Sequence, residues 1–266
     1  MDIEKLRKNL IEPFRLCENI FFAGIVKAST HLIDTGDGLI VIDSGYQETL
    51  DIVLGNIRKL GFAPEDIRYI LHSHGHIDHA GATAALVELT GAKTVLGKAD
   101  LGMVTGENLL SAASELNLSF RHFTPDILLE DGDILKLGNT EIKCISTPGH
   151  TPGTFSFFWN TQTQHGTLTS AMMGGLGLNT LRSDYIRKHD LAGENWRADF
   201  ARSLELMKSK KVDITVGNHC NQNMTVEKSE LLKKGFHDAF IDPQMWQNML
   251  NTATEQFKQL LENDPL

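Results

Sequence analysis

Apolar residues recur in two rhythms along the chain. The run Leu39-Ile40-Val41-Ile42 is continuously apolar and closed by Asp43-Ser44-Gly45, the pattern of a short strand buried on both faces. From Gln47 to Leu60 the period changes: Leu50, Val53, Leu54, Ile57 and Leu60 fall at helical spacing, and Gly61 supplies the stop. Ile67 to Leu71 predicts another strand, Ala80 to Leu89 a helix ended by Gly91, and Lys93 to Leu96 a further strand. The middle, Ile134 to Trp159, reads as strands broken by Thr147-Pro148-Gly149-His150-Thr151-Pro152-Gly153, a rigid loop by its paired prolines and glycines. A second β-then-α stretch follows, with strands at Thr167 to Ser170 and Val212 to Val216 around a helix at Trp196 to Lys210. The tail from Val226 to Leu261 is amphipathic and helical, interrupted at Phe240-Ile241-Asp242-Pro243. Strands followed by helices, twice over, predict helices flanking packed β-layers. With no linker visible, residues 1–266 read as one domain whose helical C-terminal extension covers about 226–266.

Composition narrows this picture only by exclusion. A net charge of −9 and the lack of any basic stripe argue against a nucleic-acid partner. No apolar run approaches the length of a membrane span. The start Met1-Asp2-Ile3-Glu4-Lys5 is polar where a signal peptide is basic and then apolar, so a cytoplasmic location is expected. Cys17, Cys144 and Cys220 are odd in number and widely spaced, which predicts neither a disulfide framework nor a CxxC metal site.

The chemistry is concentrated in one run. Of eleven histidines, four lie between His72 and His79, in His72-Ser73-His74-Gly75-His76-Ile77-Asp78-His79. In an extended segment, residues two apart share a side, so His74 and His76 would close on one ion at a strand end. Asp78 and His79 would turn to a second. Imidazole and carboxylate donors suit zinc, manganese or iron, and zinc is the usual occupant of His-rich sites with an open position. His150, held between Pro148 and Pro152, is the natural third ligand of the first ion. His219, in Val216-Gly217-Asn218-His219-Cys220, is that of the second. His72 is a candidate for supporting the ligands, and Ser170 and Asn221 are candidates for facing the substrate. Met172 to Leu181 would form one pocket wall. His31, His122, His165, His189 and His237 lie outside any ligand spacing.

The HxHxDH run after a strand, the strand Leu39 to Asp43 closed by Ser44-Gly45, the TPGHTPG loop and the late histidine together resemble the metallo-β-lactamase superfamily, over about residues 20 to 225. The stretch from Ile70 to Gly81 with its alanine-rich helix is most similar to the third subclass of zinc β-lactamases and its relatives. The resemblance implies an α+β fold, the four-layer αβ/βα sandwich. It implies two zinc ions, one on His74, His76 and His150 and one on Asp78, His79 and His219, with Asp43 supporting them. One departure stands out: Leu168 to Gly174 holds no carboxylate where many relatives bridge their metals with an aspartate. This weakens the glyoxalase, lactonase and flavodiiron readings.

The expected activity is hydrolysis of a small-molecule carbonyl compound, a cyclic amide or ester with β-lactams as the named candidate. A metal-bridging hydroxide would attack, oriented by Asp78 as the catalytic carboxylate. The alternatives are an iron-dependent redox enzyme of the same fold, or a lactonase- or thioesterase-type hydrolase.

Overall fold

The computed structural model describes residues 3–8 and 10–266; Met1 and Asp2, part of the N-terminal segment read above, lie outside the described residues. Seven strands form the first sheet in sequential order: β1 (Phe14–Cys17), β2 (Ile20–Phe22), β3 (His31–Asp34), β4 (Leu39–Ile42), β5 (Ile67–Leu71), β6 (Lys93–Gly97) and β7 (Ile127–Leu129). Pairing is antiparallel from β1 to β4 and parallel from β4 to β7. The second sheet comprises β8 (Ile134–Leu137), β9 (Thr140–Ser146), β10 (Phe155–Thr163), β11 (Gly166–Met173) and β12 (Ile214–Gly217), in the order β12-β11-β10-β9-β8. Only β11 and β12 are parallel there.

The helices are α1 (Ile3–Lys8), α2 (Leu50–Lys59), α3 (Ile77–Ala80), α4 (Thr83–Thr90), α5 (Leu101–Thr105), α6 (Ala113–Leu116), α7 (Ser183–Lys188), α8 (Trp196–Lys208), α9 (Thr225–Lys233) and α10 (Met245–Asn263). None is long and apolar enough to cross a membrane, among the described residues.

Side-chain alternation sorts the layers. On β4, Ile40 and Ile42 face inward with Phe22, Leu71 and Val95 to meet Cys144, Phe157, Met172 and Val216 of the second sheet. Leu39 and Val41 face outward onto Val53 and Ile57 of α2 and Leu86 of α4. Each fully buried branched side chain contributes about 1.5–3 kcal/mol, so β4 is apolar at every position because both faces are covered. Behind the second sheet, Ala171 and Met173 pack against Phe200, Leu204 and Met207 of α8 and Trp246, Leu250 and Phe257 of α10. Helix, sheet, sheet, helix is the four-layer sandwich that the resemblance implies.

Trp246 and Met249 are therefore core, Met245 is buried beside them in the chain, and the Trp246 indole N–H donates to the Met207 carbonyl at 3.0 Å. The three cysteines are buried and unpaired. The sequence pattern does not reveal β1 to β3 or β7. These strands are three or four residues long, too short for a period to declare itself.

Candidate metal centre

The site lies where strand ends of both sheets meet. Beyond Leu71 the first sheet releases His72 to His76 as an irregular loop, and His76 precedes α3, which carries Asp78 and His79. From the second sheet come His150, on the loop between β9 and β10, and His219, just after β12. The turn after β4 is tied to α3. Asp43 adopts the left-handed conformation at φ 59°, and the Ser44 N–H donates to the His79 carbonyl at 2.7 Å.

The ligand atoms of His74, His76 and His150 lie within 4.8 Å of one another, and all three residues are buried. Asp78 Oδ2 is 3.4 Å from His79 Nε2 and 3.6 Å from His219 Nε2, and the two Nε2 atoms are 3.3 Å apart. The clusters adjoin: the rings of His74 and His79 have centroids 4.1 Å apart.

Four imidazoles share one arrangement. His74 Nδ1–H donates to the Gly174 carbonyl at 3.1 Å, and His150 Nδ1–H to the Gly177 carbonyl at 2.7 Å. His79 Nδ1–H donates to Asp43 Oδ2 at 2.7 Å, and His219 Nδ1–H to the Lys27 carbonyl at 3.0 Å. Each outer bond places the ring proton on Nδ1 and leaves the Nε2 lone pair facing the centre. Nε2 of His74 and of His76 are buried without a hydrogen-bond partner, a costly state unless a cation completes them.

The electrostatics agree for His74, His76, His150 and His219 and set His79 apart. Burial drives His74 and His150 well below the ordinary imidazole range, lowers His219, and brings His76 down to about 4. These rings are neutral donors. Burial opposes charge on His79 too, but Asp78 and Asp43 outweigh it and push it up to about 10, so without metal this ring also holds a proton on Nε2, which a divalent ion would displace. Burial would raise Asp78, yet His79 and His219 hold it well below the usual carboxylate range. The residues present fit divalent metal.

Asp43 is closed to solvent and also accepts the Ser73 N–H and Ser73 hydroxyl, each at 2.7 Å, so it braces both His79 and the residue before His74. His72 does not join the ligands. Its ring nitrogens engage the Val95 carbonyl at 2.9 Å and Thr83 Oγ1 at 2.7 Å. Strict alternation would have aligned it with His74 and His76, but the loop bends after Leu71. Ser170 is fully buried within β11, its hydroxyl 2.6 Å from that of Thr161. Asn221 is exposed in the turn two residues beyond His219. The segment after β11 does flank His150, since a Cβ on Gly175 would lie 2.7 Å from His150 Cδ2.

Three contributors escape sequence reasoning. Asn218 is buried, and its amide donates to the same Gly174 carbonyl that His74 uses. Ser73 is one more, and Asp100 the other. Asp100 sits past the C-terminal end of β6, and sites gather at the C-terminal ends of parallel strands, which was the one available signal.

The metallo-beta-lactamase superfamily model matches residues 23–163, more than half of the 266, and the chain belongs to that superfamily. Within it, the chain is similar to BJP-1, a subclass B3 metallo-beta-lactamase of Bradyrhizobium japonicum. The identity is 27% and the TM-score 0.89, covering 98% of this chain and 97% of that one. FEZ-1 from Legionella gormanii is similar at 27% identity and a TM-score of 0.86, covering 96% and 97%. A hydroxyacylglutathione hydrolase of Maricaulis maris is 33% identical over 118 residues, 42% of this chain and 37% of that protein. An N-acyl homoserine lactonase of a Bacillus species is 24% identical over 156 residues, 50% and 58% respectively. The matches to these two curated relatives thus span less than two thirds of their length.

Proposed function

We propose that the chain is a metal-dependent hydrolase of small-molecule carbonyl compounds. It holds one zinc on His74, His76 and His150 and a second on Asp78, His79 and His219. The supporting observation is the common tautomer: four outer Nδ1–H groups are bound to oxygen, so four inner lone pairs converge. When bound, zinc supplies Lewis-acid polarisation of a carbonyl and activation of water near neutral pH. The protein's own part is orientation. Asp78, partly open to solvent, accepts a hydrogen bond from the attacking water and directs it toward the carbonyl. The segment Gly174 to Gly177 closes one side of His150 and confines the substrate to the side of His219, the most exposed of these histidines.

Cyclic amides, β-lactams among them, are the first substrate class, supported by the likeness to subclass B3 structures over nearly the whole chain. A lactone or thioester is the second, supported by the curated relatives. Against it, β11 ends in Met172-Met173, and the carbonyl of the next residue, Gly174, rather than a carboxylate meets His74.

The test is metal analysis of the purified protein alongside chromogenic β-lactam, lactone, thioester and phosphoester substrates. Two zinc ions with lactam turnover, abolished in His76→Ala and Asp78→Ala, is the expected result. Undiminished turnover by either variant, or iron without hydrolysis, overturns the proposal.

A further inference from the structure

The first ligand cluster draws His74 and His76 from one sheet and His150 from the other, so something must hold two independent loops in register. We propose that Asp100 is the positioning residue that does so. At the end of β6 the chain takes one tight turn, Lys98–Asp100, that buries Asp100 completely. Its Oδ2 accepts the backbone N–H of Gly75, the residue between His74 and His76, at 2.8 Å. The same oxygen accepts the hydroxyl of Thr151, the residue after His150, at 2.6 Å. Oδ1 accepts the Gly153 N–H at 2.7 Å. One carboxylate thus grips both ligand loops.

The packing leaves no slack around it. A Cβ on Gly153 would lie 2.5 Å from the Asp100 nitrogen, and one on Gly97 would lie 2.1 Å from the Gly153 carbonyl oxygen. On the other side, a Cβ on Gly75 would lie 3.2 Å from that of Asp100 and 3.0 Å from that of Met103. Among the described residues, no cation pairs with Asp100. Burial raises its pKa to about 6, so the charged form is held by its three donors alone. A group this costly to bury is matched to a task that a neutral side chain performs poorly: accepting three hydrogen bonds through two oxygens at once. The consequence is geometric, because a ligand set assembled from two loops binds metal well only when their separation is fixed.

The inference rests on the reading of His74, His76 and His150 as ligands, and Asp100→Asn separates the two. Asparagine keeps the volume, but in either amide orientation one N–H of the loops faces an NH2 group, so one tether is lost. Zinc affinity, measured by competition with a chromogenic chelator, is expected to fall roughly 10–100-fold. The d–d absorption of the Co²⁺-loaded protein is expected to change with it. Wild-type affinity with an unchanged cobalt spectrum in D100N overturns the role of Asp100, whatever the variant's melting temperature. A wild-type chain that takes up no metal overturns the ligand reading and this inference together. Should D100N fail to fold, Thr151→Val removes a single donor: a smaller loss of affinity supports the role, and none refutes it.

Discussion

Exchanging Asp43 for asparagine replaces one buried oxygen with NH2 at a place where three donors converge. Oδ1 accepts the Ser73 N–H, and Oδ2 accepts the Ser73 hydroxyl and His79 Nδ1–H, all at 2.7 Å. If the amide nitrogen takes the Oδ1 place, a buried backbone N–H loses its acceptor at a cost of about 1–3 kcal/mol. If it takes the Oδ2 place, His79 relieves the clash by moving its proton to Nε2, and the lone pair aimed at Asp78 and His219 is gone. The backbone adds no penalty, since asparagine tolerates the left-handed φ of 59° that Asp43 adopts. The second orientation weakens metal binding by Asp78, His79 and His219, by roughly 10–100-fold for a lost partner of a ligand, while the first keeps the His79 bond and shows as lost stability. For a chain of this size the stability loss corresponds to a fall in Tm of roughly 2–12 °C. Metal stoichiometry after dialysis and calorimetric melting test both. A D43N protein with two tightly held metals and wild-type Tm refutes the reasoning.

His72→Gln is expected to leave metal content unchanged while lowering stability by about 1–3 kcal/mol in urea unfolding, because His72 bonds Val95 and Thr83 rather than the ligands; loss of metal refutes that placement. Glu115 joins α6 to Lys188 at 2.8 Å and His189 at 2.9 Å. Burial opposes its charge, but the Lys188 ammonium prevails and lowers its pKa from 4.5 to about 2, so its contribution is complete above pH 4.5 and lost as pH falls through 2. Wild type should therefore exceed Glu115→Gln by about 1–2 kcal/mol at pH 7, allowing for solvent screening of the exposed lysine. The gap should close near pH 2 in urea midpoints, and one that persists there undiminished refutes the pairing.

Much of this was legible in one dimension because its signals are local. The continuous apolar run at β4, the helical spacing of Leu50 to Leu60 and the glycine at position 91 report periodicity and chain reversal within a dozen residues. The six proposed donor positions were marked by residue type and spacing, which is how soft and borderline metals select their ligands. The N-terminal strands were not legible, because β1 and β3 are interrupted by Arg15, His31 and Asp34 and β2 is only three residues long, whereas the four residues of β4 are all apolar.

Ser170 and His72 show the limit most clearly. Both have chemistry suited to a site, and only the packing shows their partners: Thr161 inside the sheet for Ser170, and Val95 and Thr83 for His72 after the bend beyond Leu71. Which imidazole nitrogen points inward was equally beyond the sequence, since it depends on carbonyls at Gly174, Gly177 and Lys27 from distant parts of the chain. So was the role open to Asp100, an ordinary aspartate in sequence, 25 residues from Gly75 and 51 from Thr151. Donor identity is a property of the residue and can be read along the chain. Donor orientation is a property of the hydrogen bond on the far side of the ring, and only the packing of two sheets brings that partner into place.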